Sequence, residues 1–279
     1  MNQNSCFVFD LDGTLLNDSK KVDELTIDTI RHLHQENIIC VATGRNYKSA
    51  KSLLKEIDLP LVWICSNGAF VYSKRNYNCF IQRFIPKKKL DKLFNILYSE
   101  KIGSIVHFGK KNSKEIFFAA EINDSNSMYC NNYSKHHKVF NLDREKLPDE
   151  VYTVCAVENI SKISKVYNLL INTLDCDDIE INVLDNMKNN LAMLEITTKV
   201  DKKIALECYL EEYVKEKVKV IAFGDDNNDK TLLEYADIGV AMKNASEQIK
   251  KIANYKTKYD NNESGVAIFI KNELNLIKI

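Results

Sequence analysis

Short apolar runs alternate with amphipathic stretches over the first 65 residues and again after residue 200. Cys6-Phe7-Val8-Phe9 is unbroken and apolar, which predicts a strand over 5–10. From Asp23 to Glu36 apolar side chains return at Leu25, Ile27, Ile30 and Leu33, the spacing of one helix face. A strand over 38–42, a helix over 46–57 and a strand over 61–65 follow. After residue 200 the pattern predicts helix 202–214, strand 218–223, helix 229–235, strand 238–241, helix 246–253 and a short strand near 255–258. Strands that are apolar throughout and separated by helices belong to a parallel sheet covered on both faces. The expected core is therefore α/β, a Rossmann-like, doubly wound parallel sheet.

The middle of the chain breaks this rhythm. Leu90, Leu93, Phe94 and Leu97 mark a helix over 87–101, followed by strands over 103–109 and 115–121. The order recurs as helix 161–174 and strands 179–184 and 191–197. Two helix-strand-strand units predict an inserted α+β domain with an antiparallel sheet. We place the core at 1–83 and 187–279 and the insert at 84–186, with hinges near 82–86 and 184–198. Residues 123–149 are polar and read as a loop excursion, with His136-His137 as a solvated pair.

Composition narrows the possibilities. At 279 residues the chain is long enough for one large or two modest domains, and 45% hydrophobic residues supply real cores. Thirty-nine basic residues balance thirty-nine acidic ones, so no bulk field draws the chain to nucleic acid or membrane. Lys87-Lys88-Lys89 reads as a solvated helix start. Eight cysteines form no Cys-x-x-Cys pair, and Cys6, Cys40, Cys65 and Cys155 lie in apolar strand-like runs. That fits reduced, buried thiols in the cytoplasm rather than a metal or redox site. The amino terminus lacks a basic stretch followed by an apolar one, and no run approaches 18 apolar residues, so neither a signal peptide nor a membrane span is expected.

Four segments carry candidate chemistry. The first strand runs into Asp10-Leu11-Asp12-Gly13-Thr14, two carboxylates at a strand's carboxyl end, where open α/β sheets bind ligands. Crowded carboxylates are costly without a cation, which suggests a metal; an Asp-rich turn is the competing reading. The second strand ends in Thr43-Gly44-Arg45, a hydroxyl and a backbone N–H near a helix start that suit a phosphate. Lys202-Lys203 follows Val200-Asp201. Finally, Val220–Gly224 runs into Asp225-Asp226-Asn227-Asn228-Asp229.

Taken in order, these segments resemble the DxDGT, TGR, lysine and GDxxND motifs of the haloacid dehalogenase (HAD) superfamily, and most closely its Cof-like subfamily with a type IIB cap. Ser66-Asn67-Gly68-Ala69, the stretch from Ile238 to Ala245, and Asn262–Ala267 support the resemblance, which spans about residues 5 to 270. Asp226 and Asn227 fill variable positions of the last motif, and Lys203 stands where a glycine is common, so Lys202 and Lys203 compete as the motif lysine. Spacing favours Lys202.

The resemblance implies phosphoryl transfer through an aspartyl-phosphate. Asp10 is then the nucleophile and Asp12 the general acid and base. Leu11, Thr43, Gly44, Arg45, Lys202 and Asn228 would bind substrate, Lys202 neutralising charge on the phosphoryl group. Mg²⁺ is the implied cofactor, an ion that takes a few carboxylates plus water and substrate oxygens. Its ligands would be Asp10, Asp225 and the Asp12 backbone carbonyl, with Asp229 as a ligand or an orienting partner of the lysine. The expected activity is Mg²⁺-dependent hydrolysis of small phosphate monoesters such as sugar phosphates, with a phosphotransferase or mutase, or a non-catalytic phosphometabolite sensor, as alternatives. The partner is a small phosphorylated metabolite; oligomeric state is left open.

Overall fold

The computed structural model describes residues 5–73, 79–108, 114–118, 149–185 and 189–274. The polar excursion over 123–148, with His136, His137 and Cys130, lies outside them. The chain divides into two compact units, Met1–Ile81 with Asp201–Ile279, and Gln82–Val200.

In the first unit the apolar runs become strands β1 (Ser5–Phe9), β2 (Ile38–Ala42), β3 (Val62–Cys65), β4 (Phe70–Ser73) and β5 (Cys79–Gln82). Later come β11 (Lys219–Gly224), β12 (Ile238–Ala241) and β13 (Tyr255–Lys256), numbered in chain order with the strands of the second unit. The sheet runs β13-β12-β11-β1-β2-β3-β4-β5, and β1 lies between β11 and β2, parallel to both. Helices α1 (Glu24–Leu33), α2 (Tyr47–Leu53), α5 (Lys202–Tyr209), α6 (Lys230–Tyr235), α7 (Glu247–Ile252) and α8 (Gly265–Asn272) link or flank these strands. Phe7, Val8, Ile39, Val41, Ile64, Ile221 and Phe223 sit in one buried core. Aspartate or asparagine oxygens cap several helix starts: Asp23 accepts from the Thr26 N–H at 2.9 Å and Asp201 from the Ile204 N–H at 2.7 Å.

The expected all-parallel sheet needs a correction at one edge. Residues 66–69 turn the chain back, and β4 pairs antiparallel with β3. Asn67 supplies the positive φ of 52° that the turn requires. The helix read as 202–214 is α-helical only to Tyr209, then widens into a π turn over Leu210–Val214 that ends on left-handed Lys215.

The second unit is an α+β layer. Its sheet runs β7 (Lys114–Phe118), β6 (Ser104–Phe108), β8 (Val151–Asn159), β10 (Leu191–Thr198), β9 (Ile179–Leu184), with antiparallel neighbours throughout. Helices α3 (Lys87–Ser99) and α4 (Ile160–Thr173) pack Leu93, Phe94, Ile163 and Val166 against Val106, Val154, Leu194 and Ile196. The central strand β8 is absent from the predicted order of elements, although Cys155 reads as part of an apolar strand-like run and Val151-Tyr152-Thr153-Val154-Cys155-Ala156-Val157 is rich in β formers. It lies directly before a helix pattern, and its buried polar positions blur the period. The boundary at 186/187 is also corrected. β10 pairs with β8 and β9 along its whole length, so the insert extends to Val200.

Candidate active site

The site forms where β1, β2 and β11 end side by side. Asp10 is the first residue beyond β1, and its N–H donates to the Phe223 carbonyl of β11 at 3.0 Å. That bond ties the ends of two central strands together. Asp225 follows β11 directly and is half-buried, and Asp229 closes the short turn after it. Each of Asp10, Asp225 and Asp229 presents a carboxylate oxygen within 4.8 Å of the others.

Lys202 is the first residue of α5, and its side chain is wholly buried. Its Nζ donates to Asp10 Oδ1 at 2.5 Å and to Asp229 Oδ1 at 2.6 Å. Lys203 instead pairs with Glu207 at 2.6 Å and lies over the Tyr235 ring. Of the two competing lysines, Lys202 is the one that enters the cluster. A close backbone approach seats its helix: Gly68, at φ 103°, lies where a Cβ would fall 2.3 Å from the Asp201 carbonyl.

Burial and the neighbouring Asp229 carboxylate raise the Asp10 pKa well above the ordinary range, against the pull of Lys202. Burial and Asp229 likewise push Asp225 up to about 6. For Lys202 burial alone would lower the pKa, but Asp10 and Asp229 outweigh it and raise the value. One ammonium therefore faces three carboxylates. The donor set is all oxygen, its charge is uncompensated and its oxygens converge, so it fits a small hard dication. Asp229 is already engaged: its Oδ2 accepts from the N–H groups of Asp225 and Asp226 at 3.0 and 3.2 Å. That assigns it to shaping the turn and holding Lys202, and leaves Asp10 and Asp225 the freer side chains. Thr14 Oγ1 donates to Asp225 Oδ1 at 3.2 Å.

Asp12 points elsewhere. Arg45 Nε and Nη2 donate to its two oxygens at 2.5 and 2.8 Å, and Lys20 Nζ donates to Oδ1 at 2.7 Å. Partial burial opposes ionisation, but Arg45 and Lys20 outweigh it and lower the Asp12 pKa to about 2. Its side chain stands outside the metal-competent trio, so a ligand role for Asp12 falls to its backbone carbonyl. Leu11 is fully buried, which limits any contact with substrate to its backbone.

The Thr43 corner is braced by backbone bonds. The Thr43 N–H donates to the Ile64 carbonyl at 2.8 Å and its Oγ1 accepts from the Arg45 N–H at 3.1 Å. The Asn67 N–H donates to the Thr43 carbonyl at 3.1 Å, and the Asn228 side chain donates to Asn67 Oδ1 at 3.1 Å. Asn228 thus sits beside this corner. A second brace holds the loop after Asp12: Asn244 donates to the Gly13 carbonyl at 2.8 Å, Asn261 to the Leu16 carbonyl at 2.9 Å, and the Asp18 N–H to Asn262 Oδ1 at 3.0 Å. Lys20 escaped the sequence reading, because nothing local separates it from a solvated turn lysine.

An acidic cluster with one buried lysine thus lies at the carboxyl ends of parallel strands in an α/β core. The chain belongs to the haloacid dehalogenase-like hydrolases, whose family model matches residues 7–270. It is 28% identical over 282 residues to a 5-amino-6-(5-phospho-D-ribitylamino)uracil phosphatase of Bacillus subtilis, covering 96% of both chains. Its fold matches that of a Thermotoga maritima protein with a TM-score of 0.81 at 24% identity, covering 99% of this chain and 98% of the other. It also matches a HAD subclass IIB sugar phosphatase, with a TM-score of 0.74 at 20% identity over 98% and 100% of the chains. Family and relatives together support phosphatase activity on phosphorylated substrates. Among the described residues no helix is long and apolar enough to cross a membrane.

Proposed function

We propose that this protein hydrolyses small phosphate monoesters, with Mg²⁺, through an aspartyl-phosphate on Asp10. The observation that carries the reading is the convergence of Asp10, Asp225 and Asp229 on one another, with the Lys202 ammonium bridging two of them. Asp10 and Asp225 would hold the ion through their side chains. When bound, Mg²⁺ supplies positive charge that lets an anionic carboxylate approach an anionic phosphoryl group.

In the first half-reaction an Asp10 oxygen attacks phosphorus and the bond to the leaving alcohol breaks, Asp12 giving that oxygen its proton. In the second, Asp12 takes a proton from water, the water oxygen attacks phosphorus, the bond to Asp10 breaks and orthophosphate leaves. Splitting the displacement in two lowers each barrier. Lys202 stays on Asp10 and meets the charge of the transferring group, while Thr43 and the Gly44 N–H receive its oxygens. Asp12 has to leave Arg45 and Lys20 to collect its proton for the first half. The second half uses the carboxylate as it stands.

The unit Gln82–Val200 is proposed as the specificity cap, and the substrate as a sugar phosphate or a similarly small phosphometabolite. The ribitylamino-uracil phosphate named for the Bacillus subtilis relative is a member of that class to test first. Free thiols at Cys6, Cys40, Cys65 and Cys155 support a cytoplasmic setting.

The test is turnover of p-nitrophenyl phosphate and a panel of phosphometabolites, with Mg²⁺ and with excess chelator. Turnover should require Mg²⁺. Asp10→Asn should lose at least about a thousandfold, some 4 kcal/mol of barrier, and acid quenching should trap a phosphoryl adduct on the unaltered protein only. Full activity in chelator, or an active Asp10→Asn protein, overturns the assignment.

A further inference from the structure

The Asp12 carboxylate is gripped from two separate elements. Arg45 comes from the loop after β2 and spans both oxygens. Lys20 comes from the loop after β1 and takes Oδ1. Lys20 lies outside every motif that identifies the site, and its backbone is unusual. Its φ is 59°, a left-handed conformation that glycine and asparagine adopt far more readily than lysine.

The turn imposes that conformation. The Lys20 N–H donates to the Asn17 carbonyl at 2.8 Å, the Asn17 N–H to the Lys21 carbonyl at 2.9 Å, and the Lys21 N–H to Asn17 Oδ1 at 3.0 Å. The turn is itself pinned at Leu16 and Asp18 by Asn261 and Asn262. A strained backbone held by surrounding bonds marks a position where the side chain has a task. Here the strain aims an ammonium back at Asp12.

Stability does not explain the pair. Lys20 and Asp12 are 52% and 36% exposed, and exposed ion pairs add little to folding.

We propose that Lys20 is a positioning residue for Asp12. Together with Arg45 it fixes the carboxylate from two sides, in the one orientation from which the second half-reaction begins. The inference rests on the phosphatase reading above. Two effects of removing Lys20 oppose each other. Losing a nearby cation makes Asp12 a stronger base, but for a pair this exposed the gain is a few-fold at most. Losing the second grip lets the carboxylate turn about an edge open to solvent, and misplacing a reacting group costs up to about a hundredfold. Orientation therefore wins, and the rate falls.

The decisive variant is Lys20→Gly. Glycine accepts a φ of 59° without strain, so the turn survives while the ammonium is lost. Lys20→Met and Lys20→Arg complete the set. On p-nitrophenyl phosphate with Mg²⁺, Lys20→Gly and Lys20→Met should lower kcat by about tenfold, within the range that misplacement allows, and lower KM with it, because slowing only the second half-reaction leaves kcat/KM nearly unchanged. Lys20→Arg should restore most of the rate. Acid quenching during turnover should trap more aspartyl-phosphate on Lys20→Gly than on the unaltered protein, because the second half-reaction is the one slowed. The melting temperature of Lys20→Gly should not fall. A kcat for Lys20→Gly at or above that of the unaltered protein overturns the inference alone, as does a loss that appears with a falling melting temperature. No turnover by the unaltered protein on any phosphoester overturns the phosphatase reading, and the inference with it.

Discussion

At the scale of single residues the site is an exercise in crowding charge. Asp10, Asp225 and Asp229 share space with one buried ammonium. Removing that ammonium leaves three carboxylates without a cation. Lys202→Met is therefore expected to destabilise the metal-free protein by about 3–5 kcal/mol, read from the urea midpoint in chelator, and to abolish turnover. Asp225 gives a pH signature. Its pKa is raised from 3.8 to about 6, so between these values the folded state holds a proton that the unfolded chain has released. Stability of the metal-free protein should then fall as pH rises through that window, and the raised pKa of Asp10 acts in the same direction. Mg²⁺ competes with the same protons. Its stabilising effect should be small below the window and grow through about pH 6. Melting curves with Mg²⁺ and with chelator on either side of the window check both signs. An increase in metal-free stability across it would contradict them.

At the scale of elements the chemistry depends on how strands stop. β1 and β11 end in register, and the bond from the Asp10 N–H to the Phe223 carbonyl carries that register into the site. The turn after β1 needs Gly13, whose φ is 77° and whose added Cβ would lie 2.2 Å from Asp225 Oδ2. Gly13→Ala therefore adds backbone strain and displaces a metal-competent carboxylate. We expect the fold to persist and Mg²⁺ to bind at least about tenfold more weakly, a loss of about 1.4 kcal/mol or more, measured by Mg²⁺-dependent thermal shift. Most of this was legible in the chain. Apolar runs ending in acidic or small polar clusters mark both strand ends and the Thr43 corner. The grip on Asp12 was not legible, because Lys20 lies eight residues from Asp12 and Arg45 thirty-three. Nor did β8 take a place in the predicted order of elements beyond the strand-like run around Cys155, since a buried strand beside a helix pattern shows no clean alternation.

At the scale of the whole molecule the chain divides into two units, each with its own apolar core. The residues assigned to catalysis lie in the first unit, and the second unit holds a sheet with its own apolar core. Helices α3 and α4 cover the face with Val106, Val154 and Leu194. Alternation along each strand puts His107, Thr153 and Thr197 on the other face, in one row across β6, β8 and β10. Glu195 stands on that same face, two residues along β10 from Thr197. These polar positions are where substrate preference should reside. His107→Leu, Thr153→Val and Glu195→Gln are expected to reorder kcat/KM across a phosphometabolite panel while leaving the Mg²⁺ requirement and the trapped adduct unchanged. An unaltered ranking would place selection in the first unit, with Arg45 the nearest candidate.

The sequence by itself determined the α/β core, the inserted α+β layer and the set of oxygen donors, because hydrophobic period and strand-end chemistry are local properties. Tertiary structure alone decided three things. It extended the insert to Val200, because only strand pairing shows which sheet claims β10. It selected Lys202 over Lys203, because helix rotation sends one side chain to the buried carboxylates and the next to Glu207. And it turned Asp12 away from the other carboxylates toward Arg45 and Lys20, because electrostatic partners are chosen by distance in space, which spacing along the chain does not encode.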